Sequence, residues 1–150
     1  MKHTSHISAL VCCLAAAFSL ILPACTHNNG DIGIWFGTWH IAKVTTAHDD
    51  QPVPDYKGNF YMQFQSKVIR ITANDTLHNH EQSFGTWEAD EANHRLHINF
   101  PDAERFECSL TGIERQNTFV IEEADATHIT ISHIDSPDHT SLRYYLKKHD

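Results

Sequence analysis

The 150-residue sequence is poor in basic side chains, with 11 Lys and Arg against 19 Asp and Glu and a formal net charge of −8 at pH 7. Nucleic acids and anionic lipid surfaces bind proteins mainly through clustered Lys and Arg. The charge balance therefore argues against a nucleic-acid partner. With 41% hydrophobic and 20% charged residues, the composition is that of a folded chain of single-domain size.

The sequence also lacks the motifs of the common enzyme classes. It contains no G-x-S-x-G, phosphate loop, H-E-x-x-H or dinucleotide fingerprint. Acidic pairs such as Glu122 and Glu123 are adjacent, and neighbours on a strand point to opposite faces. We therefore expect a non-catalytic protein that needs no cofactor.

Long hydrophobic runs are missing except at residues 7–21, whose polar members are Ser8 and Ser19. A run of 15 residues is shorter than the roughly 20 that a spanning helix needs, but it suits the hydrophobic region of a signal peptide. The run leads into Leu22-Pro23-Ala24-Cys25, which resembles the lipobox of bacterial lipoproteins. An ordinary secretory signal cut after Ala24 is the alternative.

The lipobox resemblance implies that residues 1–24 are a cleaved signal peptide and that Cys25 is lipidated. Residues 25–34 are polar and contain glycine, as expected for the anchor and a short tether. The resemblance further implies a lipid-anchored protein of the bacterial cell envelope, and Thr26 after the cysteine favours the outer membrane. Membrane contact through this anchor is the expected partnership, and the sequence identifies no protein partner.

Cysteine is too scarce to form a disulfide in the mature chain. Cys12 and Cys13 leave with the signal peptide, Cys25 carries lipid, and Cys108 remains alone. The neighbours of Cys108 offer no base that would activate a thiol, so we expect a half-buried, unreactive side chain.

From residue 35 to residue 150 the sequence predicts one all-β domain. Short segments alternate apolar and polar residues with a period of two and are rich in β-branched and aromatic side chains. In one such segment Phe60, Met62 and Phe64 share a face. We predict eight strands, at residues 35–46, 57–65, 67–73, 81–89, 94–100, 117–123, 127–133 and 141–147.

Short links between these strands predict an antiparallel meander, either a sandwich or a closed barrel. We favour an eight-stranded up-and-down β-barrel, because closure removes exposed sheet edges and eight strands can enclose one small ligand. Residues 101–116 are compatible with a helical turn or with an irregular crossing loop.

A tetrapeptide occurs twice, as Phe36-Gly37-Thr38-Trp39 and as Phe84-Gly85-Thr86-Trp87. Glycine two residues before tryptophan suits a place where the backbone passes close beneath a buried indole. We interpret the two copies as the same packing solution on two strands.

Gly37 and Trp39 on the first strand, Gly85 and Trp87 in the centre, and a basic last strand resemble the lipocalins and their calycin relatives. Together with Cys25, these features are similar to the small lipocalin-like lipoproteins of Bacteroidetes-type bacteria. The resemblance implies a lipocalin-like barrel in which a basic residue of the last strand covers Trp39. Arg143 is the expected residue, with Lys147 as the alternative.

The favoured function is binding of a small, partly apolar ligand inside the barrel. Its expected lining comprises Trp39, Phe60, Met62, Phe64, Ile69, Ile71, Trp87, Leu96, Ile98, Phe100, Ile129, Ile131 and Tyr144. The alternative is a filled barrel that serves as a structural or interaction module of an outer-membrane or glycan-handling complex.

Metal or haem capture is a third hypothesis, suggested by 13 histidines. His78 and His80 would share one face of a strand, whereas His94 and His97 would lie on opposite faces. Zinc needs three or four converging ligands, and no carboxylate or cysteine has a matching spacing. We therefore predict no metal site and interpret the histidines as a reservoir of pH-dependent surface charge.

Overall fold

The computed structural model describes residues 30–74, 80–134 and 141–149. The predicted signal peptide, Cys25, Thr26 and His78 lie outside these residues. The chain divides into two units, and the one that forms the barrel is residues 32–150. Within the described residues, no helix is long and apolar enough to cross a membrane.

Eight antiparallel strands form a closed barrel in chain order, with the last strand hydrogen-bonded to the first. The predicted eight-stranded up-and-down barrel is confirmed. A turn of 3-10 helix, Gly30–Trp35, precedes the first strand. The strands are β1 Gly37–Thr46, β2 Phe60–Gln65, β3 Val68–Asn74, β4 His80–Asp90, β5 Arg95–Asn99, β6 Gln116–Ala124, β7 His128–His133 and β8 Leu142–His149.

One strand end differs from the prediction in an informative way. β2 starts at Phe60 rather than at Lys57, because Gly58 has a φ of 67° and such a backbone cannot continue a strand. Residues 101–115 carry no strand or helix, so the crossing between β5 and β6 is the irregular loop.

Alternation of side chains separates the inside of the barrel from its outside, with register shifts at Ile41/Lys43 of β1 and Ile121/Glu123 of β6. Of the 13 side chains expected to line a ligand site, 12 are buried and Trp87 is half-buried. The buried core also contains residues outside the predicted lining, namely Trp35, Ile41, Val44, Ala73, Leu110, Ile113, Phe119, Ile121, Leu142 and Leu146.

The two Gly-Thr-Trp copies differ in their physical role, contrary to our interpretation. Gly37 has a φ of 111°, in the region that favours glycine. Gly85 is needed for space, because a Cβ there would lie 2.8 Å from the ring of Phe100 and against the backbone oxygen of Asn99. The first glycine therefore serves backbone conformation and the second serves close packing between β4 and β5.

Trp39 is fully buried where β8 closes the barrel on β1. Its Nε1 donates to the backbone oxygen of Trp35 at 2.9 Å. The Nζ of Lys148 lies 4.3 Å from the centre of the Trp39 ring and donates to the backbone oxygen of Phe36. A last-strand cation thus covers the first-strand indole, as the resemblance implied.

The choice of Arg143 for this role is wrong. Leu142, Tyr144 and Leu146 point inward, so their neighbours Arg143 and Lys147 point outward. Arg143 instead pairs with Glu122 on the outer face, with its Nε 2.8 Å from a carboxylate oxygen. Lys148 lies on the inward-facing set of alternate residues in β8, as its contact with the Trp39 ring requires.

Replacing Lys148 with Met should lower the free energy of unfolding by about 1–2 kcal/mol, because the cation–π contact and the hydrogen bond to Phe36 are both lost. Urea unfolding followed by tryptophan fluorescence measures this loss. Lys147→Met is the matched control, since Lys147 is exposed on the outer face. Equal stability of the Lys148→Met variant and the native chain would contradict the assignment.

Candidate ligand site at the barrel mouth

Two long loops lie at the same end of the barrel, which we call the mouth. Residues 47–59 join β1 to β2, and residues 100–115 join β5 to β6. In an up-and-down barrel the connections that follow odd-numbered strands share one end. We call residues 101–115 the lid.

The lid is part of the hydrophobic core rather than a solvated loop. Leu110 is 2% exposed and Ile113 is 6% exposed. The ring of Phe106 packs against Phe100, with 5.1 Å between ring centres. Burial of these apolar side chains holds the lid over the barrel.

Hydrogen bonds fasten the lid to β4. The buried Oγ of Ser83 accepts the backbone N–H of Glu107 at 3.0 Å. A carboxylate oxygen of Glu81 accepts both the backbone N–H and the hydroxyl of Ser109, at 3.1 Å and 2.6 Å. We call the Glu81–Ser109 pair the latch, because it is the exposed part of this attachment.

On the opposite side, the lid is fastened to β8. The hydroxyl of Tyr144 donates to the backbone oxygen of Thr111 at 2.8 Å, and burial raises the pKa of Tyr144, which keeps the hydroxyl a donor. Gly112 has a φ of 81°, and a Cβ there would lie 2.6 Å from the Tyr144 oxygen. Only glycine permits this close crossing.

A pocket of about 330 Å³ lies between the two loops, near the lower limit of ligand pockets at roughly 300 Å³. Its apolar part is formed by Tyr56, Phe60 and Ala73, and the Tyr56 and Phe60 rings stack at 6.2 Å. The other lining residues are Pro54, Asp55, Lys57, Asn59, Glu81, Ser109 and Thr111. The pocket therefore offers an apolar surface with a polar border.

Tyr56 is fixed in place although it belongs to a loop. Its hydroxyl donates to the backbone oxygen of Ile41. Burial raises the pKa of Tyr56, so the phenol stays protonated and keeps donating. The aromatic wall of the pocket is therefore preorganised.

At the opposite end of the barrel, three aromatic rings fill the interior. Phe64 and Trp87 meet at 4.9 Å, and Trp35 lies 5.4 Å from Phe64 and 5.7 Å from Trp87. Such edge-on packing leaves little space between the rings. The interior at that end is therefore filled by side chains.

Similar folds occur among solved structures. A lipocalin-like protein from Bacteroides uniformis superposes with a TM-score of 0.58 at 12% identity, covering 78% of this chain and 100% of that one. An uncharacterized protein from Bacteroides eggerthii gives 0.54 at 14% identity, covering 77% and 99%. Lobster apocrustacyanin A1 gives 0.51 at 13% identity, covering 81% and 64%.

The fold is lipocalin-like. At these identities the similarity concerns the architecture alone. No family model and no curated protein matches the sequence.

Most of the predicted ligand residues do not border the mouth pocket. Phe60 borders the mouth pocket, whereas Trp87 and Ile98 border a groove on the other side of the sheet. Sequence reasoning missed Tyr56, Ser109 and Thr111, because they lie in loops where alternation of polarity gives no signal. The available signal was the position of Tyr56, which follows Pro52 and Pro54 and precedes Gly58.

The histidines do not converge where the structure describes them. Within residues 30–74, 80–134 and 141–149, no group of three or more His, Cys, Asp or Glu side chains is placed to hold a metal ion. His97 points outward, and its Nδ1 lies 3.0 Å from the hydroxyl oxygen of Thr118.

Cys108 lies in the lid and is half-buried against the core, as predicted. Burial is the main cause that raises the pKa of its thiol to about 11, and the nearby charge of Glu81 adds to it. The reactive thiolate is therefore scarce at neutral pH while the lid is closed. Cys108 can thus report on lid opening.

Glu81→Ala should increase the rate of maleimide labelling at Cys108 several-fold at pH 8, because loss of the latch exposes the thiol and lowers its pKa. Peptide-resolved mass spectrometry separates Cys108 from the other cysteines. Glu104→Ala, an exposed change in the same lid, serves as the control. An unchanged rate in Glu81→Ala would show that the latch does not hold the lid.

Proposed function

We propose that this chain is a lipid-anchored, non-catalytic binding protein of the bacterial cell envelope whose mouth pocket takes a small, partly apolar ligand. The observation that carries the proposal is the pocket between the two loops, with Tyr56 and Phe60 on one side and the lid on the other. The lipocalin-like architecture supports it.

The pocket defines the chemistry of the ligand. A volume of about 330 Å³ suits a compact molecule rather than a bulky polycyclic one. The stacked rings of Tyr56 and Phe60 would contact its apolar part. Asn59 and Thr111 at the border would hydrogen-bond its polar end, because small-molecule sites combine an apolar surface with a few placed polar groups.

Entry would involve the lid rather than the strands. The strands are held by continuous hydrogen-bonded ladders around the closed barrel. The latch between Glu81 and Ser109 is exposed, and a hydrogen bond of this kind contributes a net stability of about 0.5–1.5 kcal/mol. Breaking the latch alone therefore costs far less than separating two strands.

The anchor follows from the lipobox resemblance at Cys25. Two or more acyl chains hold a soluble domain durably, whereas one chain binds marginally. We place the protein at the outer membrane, as Thr26 suggests. Residues 25–34 would then tether the barrel with its pocket accessible to solutes.

Cys25→Ser should move the protein expressed in a bacterial host from the detergent phase to the aqueous phase in Triton X-114 partitioning, because the acylated residue is removed. Cys108→Ser, which changes the other cysteine of the mature chain, should stay with the detergent. Aqueous partitioning of the unchanged chain would refute the anchor and leave the pocket proposal standing.

Thr111→Trp should weaken binding of a dansyl-labelled fatty acid at least tenfold. Thr111 is exposed and borders the pocket, so the indole would fill the pocket while the backbone oxygen still accepts from Tyr144. Dansyl fluorescence of the full chain gives the dissociation constant.

Ala103→Trp is the control for this substitution, because Ala103 is exposed in the same lid and lies away from the pocket. Unaltered affinity there would assign the loss to the pocket itself. Absence of saturable binding by the folded, unchanged chain would contradict ligand binding and favour a filled barrel that acts through its outer surface.

A further inference from the structure

A groove of about 710 Å³ lies on the outer face of β4, β5 and β6. Two rows of outward side chains cross these strands in register: Thr86, Asn99 and Gln116 in one row, and Glu88, His97 and Thr118 in the next. Lys67, from the turn between β2 and β3, lies at one side. We call this surface the outer groove.

The polar side chains of the outer groove are available to a ligand. In the described part of the chain, the side chains of Thr86, Glu88, Asn99 and Gln116 make no hydrogen bond within the protein, and His97 and Thr118 contact each other at 3.0 Å. Planar amides and hydroxyls both donate and accept hydrogen bonds. The groove therefore presents mixed donors and acceptors in a fixed grid.

The outer face around β1 and β8 is arranged differently. There Asp50 accepts from Tyr145, Thr45 and Lys43 at 2.6, 2.8 and 3.0 Å. Arg143 is paired with Glu122. Polar groups on that side satisfy one another, whereas in the outer groove only His97 and Thr118 do so among the six residues of the two rows.

Several ligand classes fit the outer groove poorly. Its one lysine is offset by Glu88, so it lacks the excess positive charge that a polyanion needs. Among the described residues, no group of three or more His, Cys, Asp or Glu side chains could hold a metal ion. Each strand of the closed barrel is already paired on both sides, so a peptide cannot add as a further strand.

We propose that the outer groove binds a neutral carbohydrate of one or two sugar rings. Neighbouring strands are about 4.8 Å apart and alternate residues along a strand about 6.8 Å apart, so the grid covers roughly 7 by 10 Å. Hydroxyl-rich rings of that size match the mixed donors and acceptors.

This site is separate from the mouth pocket. The two share no lining residue, so binding in the outer groove does not depend on the ligand proposed above. Failure of either proposal therefore leaves the other intact.

The test is an NMR titration of the isotope-labelled full chain with maltose, cellobiose and N,N′-diacetylchitobiose. At least one sugar should produce saturable shifts at the side-chain amides of Asn99 and Gln116 and at the backbone amides of β4–β6. The double variant Asn99→Ala/Gln116→Ala should weaken the affinity at least tenfold, because it removes one cross-strand pair of amides.

Thr72→Ala/Gln82→Ala is the matched control, since these two residues are also opposite each other on the outer face, between β3 and β4, and lie outside the groove. It should bind the sugar as the unchanged chain does. The proposal is overturned by the absence of saturable shifts with all three sugars, by shifts confined to the mouth, or by equal weakening in both double variants.

Discussion

Closure of β8 on β1 is the interaction on which the rest of the structure depends. The pairing runs from Thr38 opposite His149 to Thr46 opposite Leu142. Lys148 lies at this seam, over the Trp39 ring. Without closure β1 and β8 would present free edges, and the alternation of side chains would no longer define an inside and an outside.

Closure of the barrel also determines how much space remains inside it. The interior at the Trp35 end is occupied by three aromatic rings, and the lid contributes Leu110 and Ile113 to the core at the other end. An eight-stranded barrel is just wide enough for its own side chains to fill. The axis of the barrel is therefore filled by side chains, and the mouth pocket lies between the loops.

The fold could be predicted because alternation is a local signal. Phe60, Met62 and Phe64 reveal both the strand and its inward face without knowledge of the partner strands. The same rule would have excluded Arg143 as the residue over Trp39, because Arg143 is adjacent to the inward Tyr144. The resemblance implied a basic residue on the last strand, and Arg143 was chosen without considering that its side chain would point outward.

The candidate site could not be predicted from the same signal. Tyr56, Ser109 and Thr111 lie in loops whose conformation is set by distant contacts, such as the bond of Ser109 to Glu81, 28 residues away. Such pairings depend on the barrel bringing β4 beneath the lid. Sequence spacing alone carries no information about them.

The mouth is held by a different kind of interaction from the barrel. Asp50 fastens the β1–β2 loop to Tyr145 of β8, and Glu81 fastens the lid to β4. Both contacts are exposed, so water competes with them. The pairing of β8 with β1 and the burial of Trp39, which maintain the shape of the barrel, involve neither of these contacts.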